Sequence, residues 1–167
     1  MFKKIKIALL GVGILLISAC GFHFQNGELI PYELRTLVLE SNDPHSNMSI
    51  ALRRQLQANN VSIVDNQNNV TVLRLNSTKN TEQVASVFKR GYEAEKILTL
   101  EVWAIVSLPN KQSYPIFANV NRTFFDNSRA ALAKSAEKEI IWNDMREQAA
   151  RQLIGKMIAL QTQLQGK

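Results

Sequence analysis

Apolar residues recur at every fourth position in two parts of the chain, the spacing that lines one face of an α-helix. The first stripe runs over residues 48–56 and predicts a helix over 44–58. Asp43 is expected to cap its free N–H groups, with Pro44 at the first helical position. The second stripe predicts a longer helix over about 129–162. Both predicted helices are amphipathic, so each needs a surface to pack against.

Alternation of apolar and polar residues predicts β-strands elsewhere, because successive side chains of a strand point to opposite faces. The predicted strands cover residues 34–40, 70–87, 95–108 and 113–125. A brief extended piece at 61–64 completes a strand–helix–strand unit if it pairs parallel with the first strand. Residues 76–83 are polar, which predicts an edge or a bulge there. The sequence thus predicts an α+β fold of order β-α-β-β-β-α, with two amphipathic helices packed on one face of a roughly four-stranded mixed sheet.

The first nineteen residues have the order of a bacterial export signal. Three lysines are followed by an apolar run over 7–17, and small residues precede Cys20. The run is shorter than the ~20 residues of a membrane-spanning helix. The sequence Ile-Ser-Ala-Cys at 17–20 resembles the bacterial lipobox. In a lipobox the cysteine thiol receives a diacylglycerol, and cleavage frees the amine for a third acyl chain. The alternative is a secreted protein with a chance cysteine.

These features divide the chain into a removed signal at 1–19, a lipid-anchored lead at 20–32 and a single α+β domain at 33–167. Buried acyl chains contribute ~0.8 kcal/mol per CH₂, so three chains hold firmly. Residue 21 is glycine. Aspartate at that position resembles an inner-membrane retention signal, so Gly21 indicates the outer membrane.

Removing the signal lowers the positive charge. The whole chain has a formal net charge of +6, whereas without the three signal lysines 17 basic residues face 14 acidic ones. A net charge of about +3 is too small to indicate a nucleic-acid partner. With Cys20 acylated no thiol remains, so the sequence predicts no disulfide.

The sequence offers little for catalysis. His23 and His45 are far apart, and neither has a second ligand at metal-binding spacing. There is no nucleophile elbow and no glycine-rich phosphate loop. The sequence therefore predicts no catalytic residue, metal or cofactor apart from the covalent lipid. A binding or assembly role is favoured over an enzyme, such as a hydrolase acting on envelope polymers.

Residues 88–92 read as a hairpin tip. Lys89 and Arg90 lie there between Phe88 and Tyr92. Cations flanked by rings can bind a phosphorylated amphiphile, because the cations take phosphate while the rings meet sugar or acyl chain. The alternative is that the tip is charged for solubility.

A second candidate surface lies at the end of the last strand. Arg122, Phe124 and Phe125 precede a polar break at 126–128. An aromatic pair at a strand end is suited to packing against a partner, and Phe88 and Tyr92 of the hairpin tip are further candidate partner contacts. The alternative is that Phe124 packs in the core of this domain while Phe125 covers a helix end.

The chain resembles the LptE family of lipopolysaccharide-assembly lipoproteins, also called rare lipoprotein B. The matching motifs, in chain order, are Ala-Cys-Gly-Phe-His at 19–23, Arg-Arg-Gln-Leu at 53–56, Ala-Ser-Val-Phe-Lys-Arg-Gly at 85–91, Tyr-Pro-Ile at 114–116, Arg-Thr-Phe-Phe-Asp-Asn at 122–127 and Ala-Leu-Ala-Lys at 131–134. Together they cover nearly the whole mature chain.

The resemblance implies a lipoprotein of the outer membrane that sits as a plug in the lumen of a large β-barrel partner, LptD, in a 1:1 complex. It also implies lipopolysaccharide binding through Lys89 and Lys134, with Arg90 adjacent. The family pattern places arginine directly after Val-Phe, whereas this chain has Lys89 there and arginine one residue later. A periplasm-facing lipoprotein adaptor of another envelope transport or secretion complex is the alternative function.

Overall fold

The computed structural model describes residues 30–65, 68–87, 93–109, 112–125 and 131–165. A short 3₁₀ turn over Tyr32–Leu34 leads into the domain. The strands are β1 (Thr36–Ser41), β2 (Ser62–Ile63), β3 (Thr71–Val87), β4 (Glu93–Ser107) and β5 (Ser113–Phe125), and the helices are α1 (Asn47–Ala58) and α2 (Ala131–Gln165). The predicted order is confirmed, with one strand more than expected. The extra strand is the extended piece at 61–64, whose two central residues pair at the edge of the sheet.

The first part of the domain is the predicted strand–helix–strand unit. β2 pairs parallel with β1, and β3 pairs parallel with β1 on its other side. The prediction that α1 begins at Pro44 with Asp43 as its cap is wrong. The Asp43 carboxylate accepts the His45 N–H at 3.0 Å and closes a turn before the helix. Ser46 is the cap, and its hydroxyl accepts the Ser49 N–H at 3.2 Å. Asn60, with φ of 59°, ends the helical region.

Three long antiparallel strands form the rest of the sheet, which has the order β2-β1-β3-β4-β5. The register of β3 against β4 shifts between Leu75 and Ser77, so Asn76 has no partner there. β1 ends opposite Leu75. Beyond that point, one side of β3 is an edge of the sheet. The polar stretch predicted as an edge or a bulge is therefore both.

The core lies between the sheet and the two helices. Alternate residues of β4 from Leu98 to Val106 are at most 2% exposed. From α2, Met145, Leu153 and Met157 are fully buried and belong to the same hydrophobic cluster. Fully burying such a side chain stabilises the fold by about 1.5–3 kcal/mol. The predicted packing of both helices on one face of the sheet is thus confirmed.

The other face of the sheet carries the intervening side chains. Trp103 of β4 and Phe117 of β5 are paired across the strands, with ring centroids 5.1 Å apart. Trp103 remains 37% exposed. In the described part of the chain, no helix or strand packs on this face. The buried residues of both helices belong to the core on the opposite side of the sheet.

Candidate functional site

Three strands end at one pole of the sheet, which we call the hairpin pole and define by Val87, Glu93, Glu95 and Phe125. Val87 pairs with Glu93, so β3 and β4 meet there. Glu95 pairs with Phe125, the last residue of β5. The residues that join β3 to β4, and those that lead from β5 into α2, therefore leave the sheet at the same pole.

Several candidate residues lie outside the described parts of the chain. They are Cys20, Phe88, Lys89, Arg90 and Tyr92. The described strand ends locate the two attachment points of the segment 88–92. Both belong to the hairpin pole, because Val87 and Glu93 are register partners.

Lys134 lies near the start of α2 and is half-buried. The helix crosses the sheet obliquely, because Lys138 donates to Glu82 of β3 at 3.0 Å whereas Gln148 accepts from Arg122 of β5 at 2.7 Å. Along β5 it runs away from the hairpin pole, because Gln148 contacts Arg122 whereas Lys156, further along the helix, donates to the Phe117 carbonyl. One helical turn rises about 5.4 Å. Lys134 therefore lies about that far before Lys138 along the helix axis.

The aromatic pair at the end of β5 is divided between the core and the surface. Phe124 is 2% exposed and belongs to the hydrophobic cluster, so its ring is not presented at the surface. Phe125 points the other way and is 69% exposed. Successive side chains of a strand alternate between faces, so the two rings must separate in this way.

Arg122 lies on the helix-facing side of β5, opposite Leu98 in the register. One guanidinium nitrogen donates to Gln148 of α2 at 2.7 Å. The other reaches the backbone carbonyl of Asn121 at 3.5 Å. These contacts hold the arginine along the outer margin of β5, where its charge remains exposed to solvent.

Lys96 is a residue near this pole that our sequence reasoning missed. It pairs with Phe124 in the register, so its side chain emerges on the helix-facing side. Its position continues the apolar series that starts at Leu98. The sequence signal for this residue is a cation at the first position of an alternating series whose later members are apolar. Lys96 and Lys134 both engage in interactions within the protein.

The described residues contain no cluster of three or more side chains suited to hold a metal ion. Among the helices described, none combines the length and the apolar character needed to cross a membrane. The ion pairs near the pole, such as that of Lys138 with Glu82, are about one third exposed. Exposed charge and hydrogen-bonding groups suit the binding of a polar or charged partner.

Comparison with known proteins identifies the family. A family profile described as "LptE: Lipopolysaccharide-assembly" matches residues 34–157. The LPS-assembly lipoprotein LptE of Yersinia pestis is 40% identical over 162 residues, which are 96% of this chain and 78% of that protein. The same protein of Yersinia pseudotuberculosis has the same identity and coverage.

Solved structures share the fold. Rare lipoprotein B from Shewanella oneidensis superposes with a TM-score of 0.72 at 35% identity, over 78% of this chain and 98% of that one. Lipoprotein B from Nitrosomonas europaea has a TM-score of 0.68 at 16% identity, over 85% and 92% of the two chains, which shows the fold alone. The related proteins are named for assembly rather than for catalysis, in agreement with the prediction that this chain is not an enzyme. The chain belongs to the LptE family of lipopolysaccharide-assembly lipoproteins.

Proposed function

We propose that this protein is an outer-membrane lipoprotein that takes part in lipopolysaccharide assembly. Acyl chains on Cys20 anchor it to the periplasmic side of the membrane. Its body plugs the lumen of an LptD β-barrel in a 1:1 complex and supports the assembly of that barrel. Its cations bind lipopolysaccharide on the way to the outer leaflet.

The observation that carries the lipid-binding part is the convergence at the hairpin pole. The segment with Lys89 and Arg90 is attached there through Val87 and Glu93. Lys134 lies one helical turn before Lys138, whose ion-pair partner Glu82 belongs to β3, a strand that ends at this pole. Cations gathered at one pole can replace the divalent ions that bridge phosphate groups, because ammonium and guanidinium groups form strong hydrogen bonds to phosphate. Binding alone, with no covalent step, then loosens lipid aggregates.

The polar character of the exposed surface supports the proposal that this domain plugs a barrel. Aqueous lumens of outer-membrane barrels are lined by polar side chains. Exposed ion pairs lie on both faces of this domain, such as Arg54 with Glu147 on the helices and Arg74 with Glu40 on the sheet. A broad polar interface is compatible with the polar lining of such a lumen and with the exposed ion pairs of this domain. Phe125 and Arg122 are the described residues that we assign to partner contact near the pole.

The lipid site is tested by charge reversal. Lys89, Arg90 and Lys134 are changed together to aspartate, and the affinity for lipopolysaccharide is measured by displacement of a fluorescent lipopolysaccharide probe. Each charged hydrogen bond is worth about 1.5–3 kcal/mol, so the affinity should fall at least about tenfold.

The matched control reverses three exposed cations away from the pole. Lys79, Arg54 and Arg151 have side chains that are 66%, 67% and 56% exposed. Both triple variants change the net charge equally, and circular dichroism checks that each is folded. Equal loss in both variants would reduce the effect to net charge. Unchanged affinity in the folded pole variant would refute the site.

The partner is tested by gentle detergent extraction of the tagged lipoprotein, followed by mass spectrometry of the proteins that accompany it. Recovery of a large β-barrel in 1:1 ratio is expected. Recovery of the lipoprotein alone, or with subunits of an inner-membrane transporter, would refute the plug. Lipopolysaccharide binding would then have to be explained without the barrel.

A further inference from the structure

β5 forms a long edge of the sheet. It pairs with β4 along its full length, from Ser113 to Phe125, with no register shift. In the described part of the chain, no strand pairs with its outer side. A long regular edge exposes a row of backbone N–H and C=O groups that another strand can join. Such an edge promotes self-association unless something blocks it.

The backbone groups that face outward belong to the odd-numbered residues of β5. At the hairpin, the Leu108 N–H donates to the Gln112 carbonyl at 2.8 Å, so that pair is hydrogen-bonded across the turn. Hydrogen-bonded and non-hydrogen-bonded pairs alternate along an antiparallel ladder. The even-numbered residues of β5 therefore bond to β4. Phe117 is odd-numbered, and its carbonyl does point outward, where the Lys156 ammonium donates to it.

Three features occupy this outward row. Pro115 stands at an outward position and has no N–H to offer. Lys156 of α2 reaches around the strand to the Phe117 carbonyl and lies 5.9 Å from the centre of the Phe117 ring. Arg122 contacts the Asn121 carbonyl at 3.5 Å, a weaker bond. Gln148 of α2 holds that arginine in place at 2.7 Å.

We propose that Lys156, Arg122 and Pro115 close the outer edge of β5 against strand pairing with a second copy of this chain. Two copies would pair antiparallel about a two-fold axis. The register that uses the whole strand is centred on Asn119, the middle residue of β5. Phe117 of each copy then faces Asn121 of the other, and both pairs need the carbonyls that the two cations hold.

The proposal explains why both cations that hold these carbonyls, Lys156 and Arg122, depend on α2. Gln148 and Lys156 are two steps of four residues apart on that helix, so they lie on one row of neighbouring side chains. That face runs along the outer margin of β5, where it contacts Arg122 and Phe117. One row of side chains of this amphipathic helix thus covers the core, and the neighbouring row blocks the exposed edge of β5. Lysine on an edge strand is a known protection against edge-to-edge association; here the lysine is supplied by a neighbouring helix.

The experiment places a reporter cysteine at the predicted two-fold centre. Asn119→Cys is introduced into the full chain, once alone and once together with Lys156→Met. Both proteins are purified in detergent. The methionine keeps the aliphatic stem and removes the ammonium. After mild oxidation, mass spectrometry quantifies the peptide in which two copies are joined through position 119, which distinguishes it from any product at Cys20.

The Lys156→Met variant should increase the joined peptide about tenfold or more, because one charged hydrogen bond per chain no longer has to break. Lys156→Arg should leave the yield low, since it keeps a donor. Arg151→Met removes a charge from the exposed surface of the same helix and should also leave it low. Adding Arg122→Gln to Lys156→Met should increase the yield further.

Two results would overturn the proposal. One is an equal yield with and without Lys156 in chains whose circular dichroism matches the parent. The other is an equal increase of the joined peptide on Lys156→Met when the reporter is Lys79→Cys on β3 instead. That position is remote from the β5 edge, so it reports general association.

Discussion

The two neighbouring phenylalanines at the end of β5 allow the division between core and surface to be tested directly. Phe124 is 2% exposed within the hydrophobic cluster, whereas Phe125 is 69% exposed. Truncation of a buried phenylalanine to alanine costs about 3–5 kcal/mol. Phe124 is next to the last residue of its strand, where the backbone can relax, so we expect the lower value. A loss of about 3 kcal/mol is a large part of the 5–15 kcal/mol that stabilises a typical domain.

The measurement is the free energy of unfolding by urea, followed by circular dichroism, for Phe124→Ala and Phe125→Ala. In a chain of this size each kcal/mol lowers the melting temperature by about 2–4 °C. Phe124→Ala should therefore melt about 6–12 °C lower, and Phe125→Ala should melt within a few degrees of the parent. The same pair separates stability from the proposed function, since Phe125→Ala should weaken recovery of the proposed barrel partner without unfolding the domain. Equal loss of stability in the two variants would refute the reasoning.

Three further predictions concern single positions. Ser46→Ala should destabilise the domain by about 1 kcal/mol in urea unfolding, because it removes the cap on the Ser49 N–H; Ser46→Asp, which can still accept that bond, should cost less, and an equal loss would contradict the capping role. Gly155→Ala should stabilise the domain by about 0.5–1 kcal/mol, because glycine weakens a helix interior and an added Cβ meets no atom within 4 Å; destabilisation would contradict it. Cys20→Ser should abolish the lipid adduct in the mass spectrum of the membrane fraction and leave an unprocessed chain, whereas an unchanged mass would refute acylation at this residue.

The fold was largely predictable because its strongest patterns reflect burial. Alternation along β4 and β5 placed their apolar residues on one face, and the structure buries residues such as Leu100 and Val120 as expected. The stripe with Met145 and Leu153 likewise faces the core. Such positions can be inferred from sequence because one buried face forces the period of the pattern.

The details that were missed depend on local hydrogen bonds rather than on burial. Asp43 and Ser46 are both good capping residues, and only the geometry shows that Asp43 closes the preceding turn while Ser46 caps the helix. The edge strand β2 has two residues, too few to display a period. The oblique path of α2, which brings Lys138 to β3 and Lys156 to β5, is a tertiary property with no local signal.

For the candidate site, sequence reasoning identified Lys134 and the end of β5 but could not relate them in space. The strand register relates the end of β5 to β4 through the pairing of Glu95 with Phe125, and the contact of Lys138 with Glu82 relates the first part of α2 to β3. The aromatic pair was predicted as a possible partner contact, and the alternative of a buried Phe124 matches the structure. The sequence alone offers no reason to single out Lys96, because a single charge at the start of an apolar series resembles a strand terminus.

The register shift at Asn76 has a consequence for how the length of this chain can vary. Residues Leu73 and Leu75 face the core before the shift, and after it the even-numbered residues, such as Asn80 opposite Leu100, take over that face. Loss of the unpaired Asn76 would make the ladder regular from Val72 to Val84 and leave every later residue on its present face. Loss of a residue from the regular stretch between Ser77 and Val84 would turn the side chains between that point and the next register shift, at Ala85, to the opposite face. Relatives that gain or lose one residue in this strand should therefore do so at a register shift such as that at Asn76, where a change in length preserves the direction of the side chains beyond it.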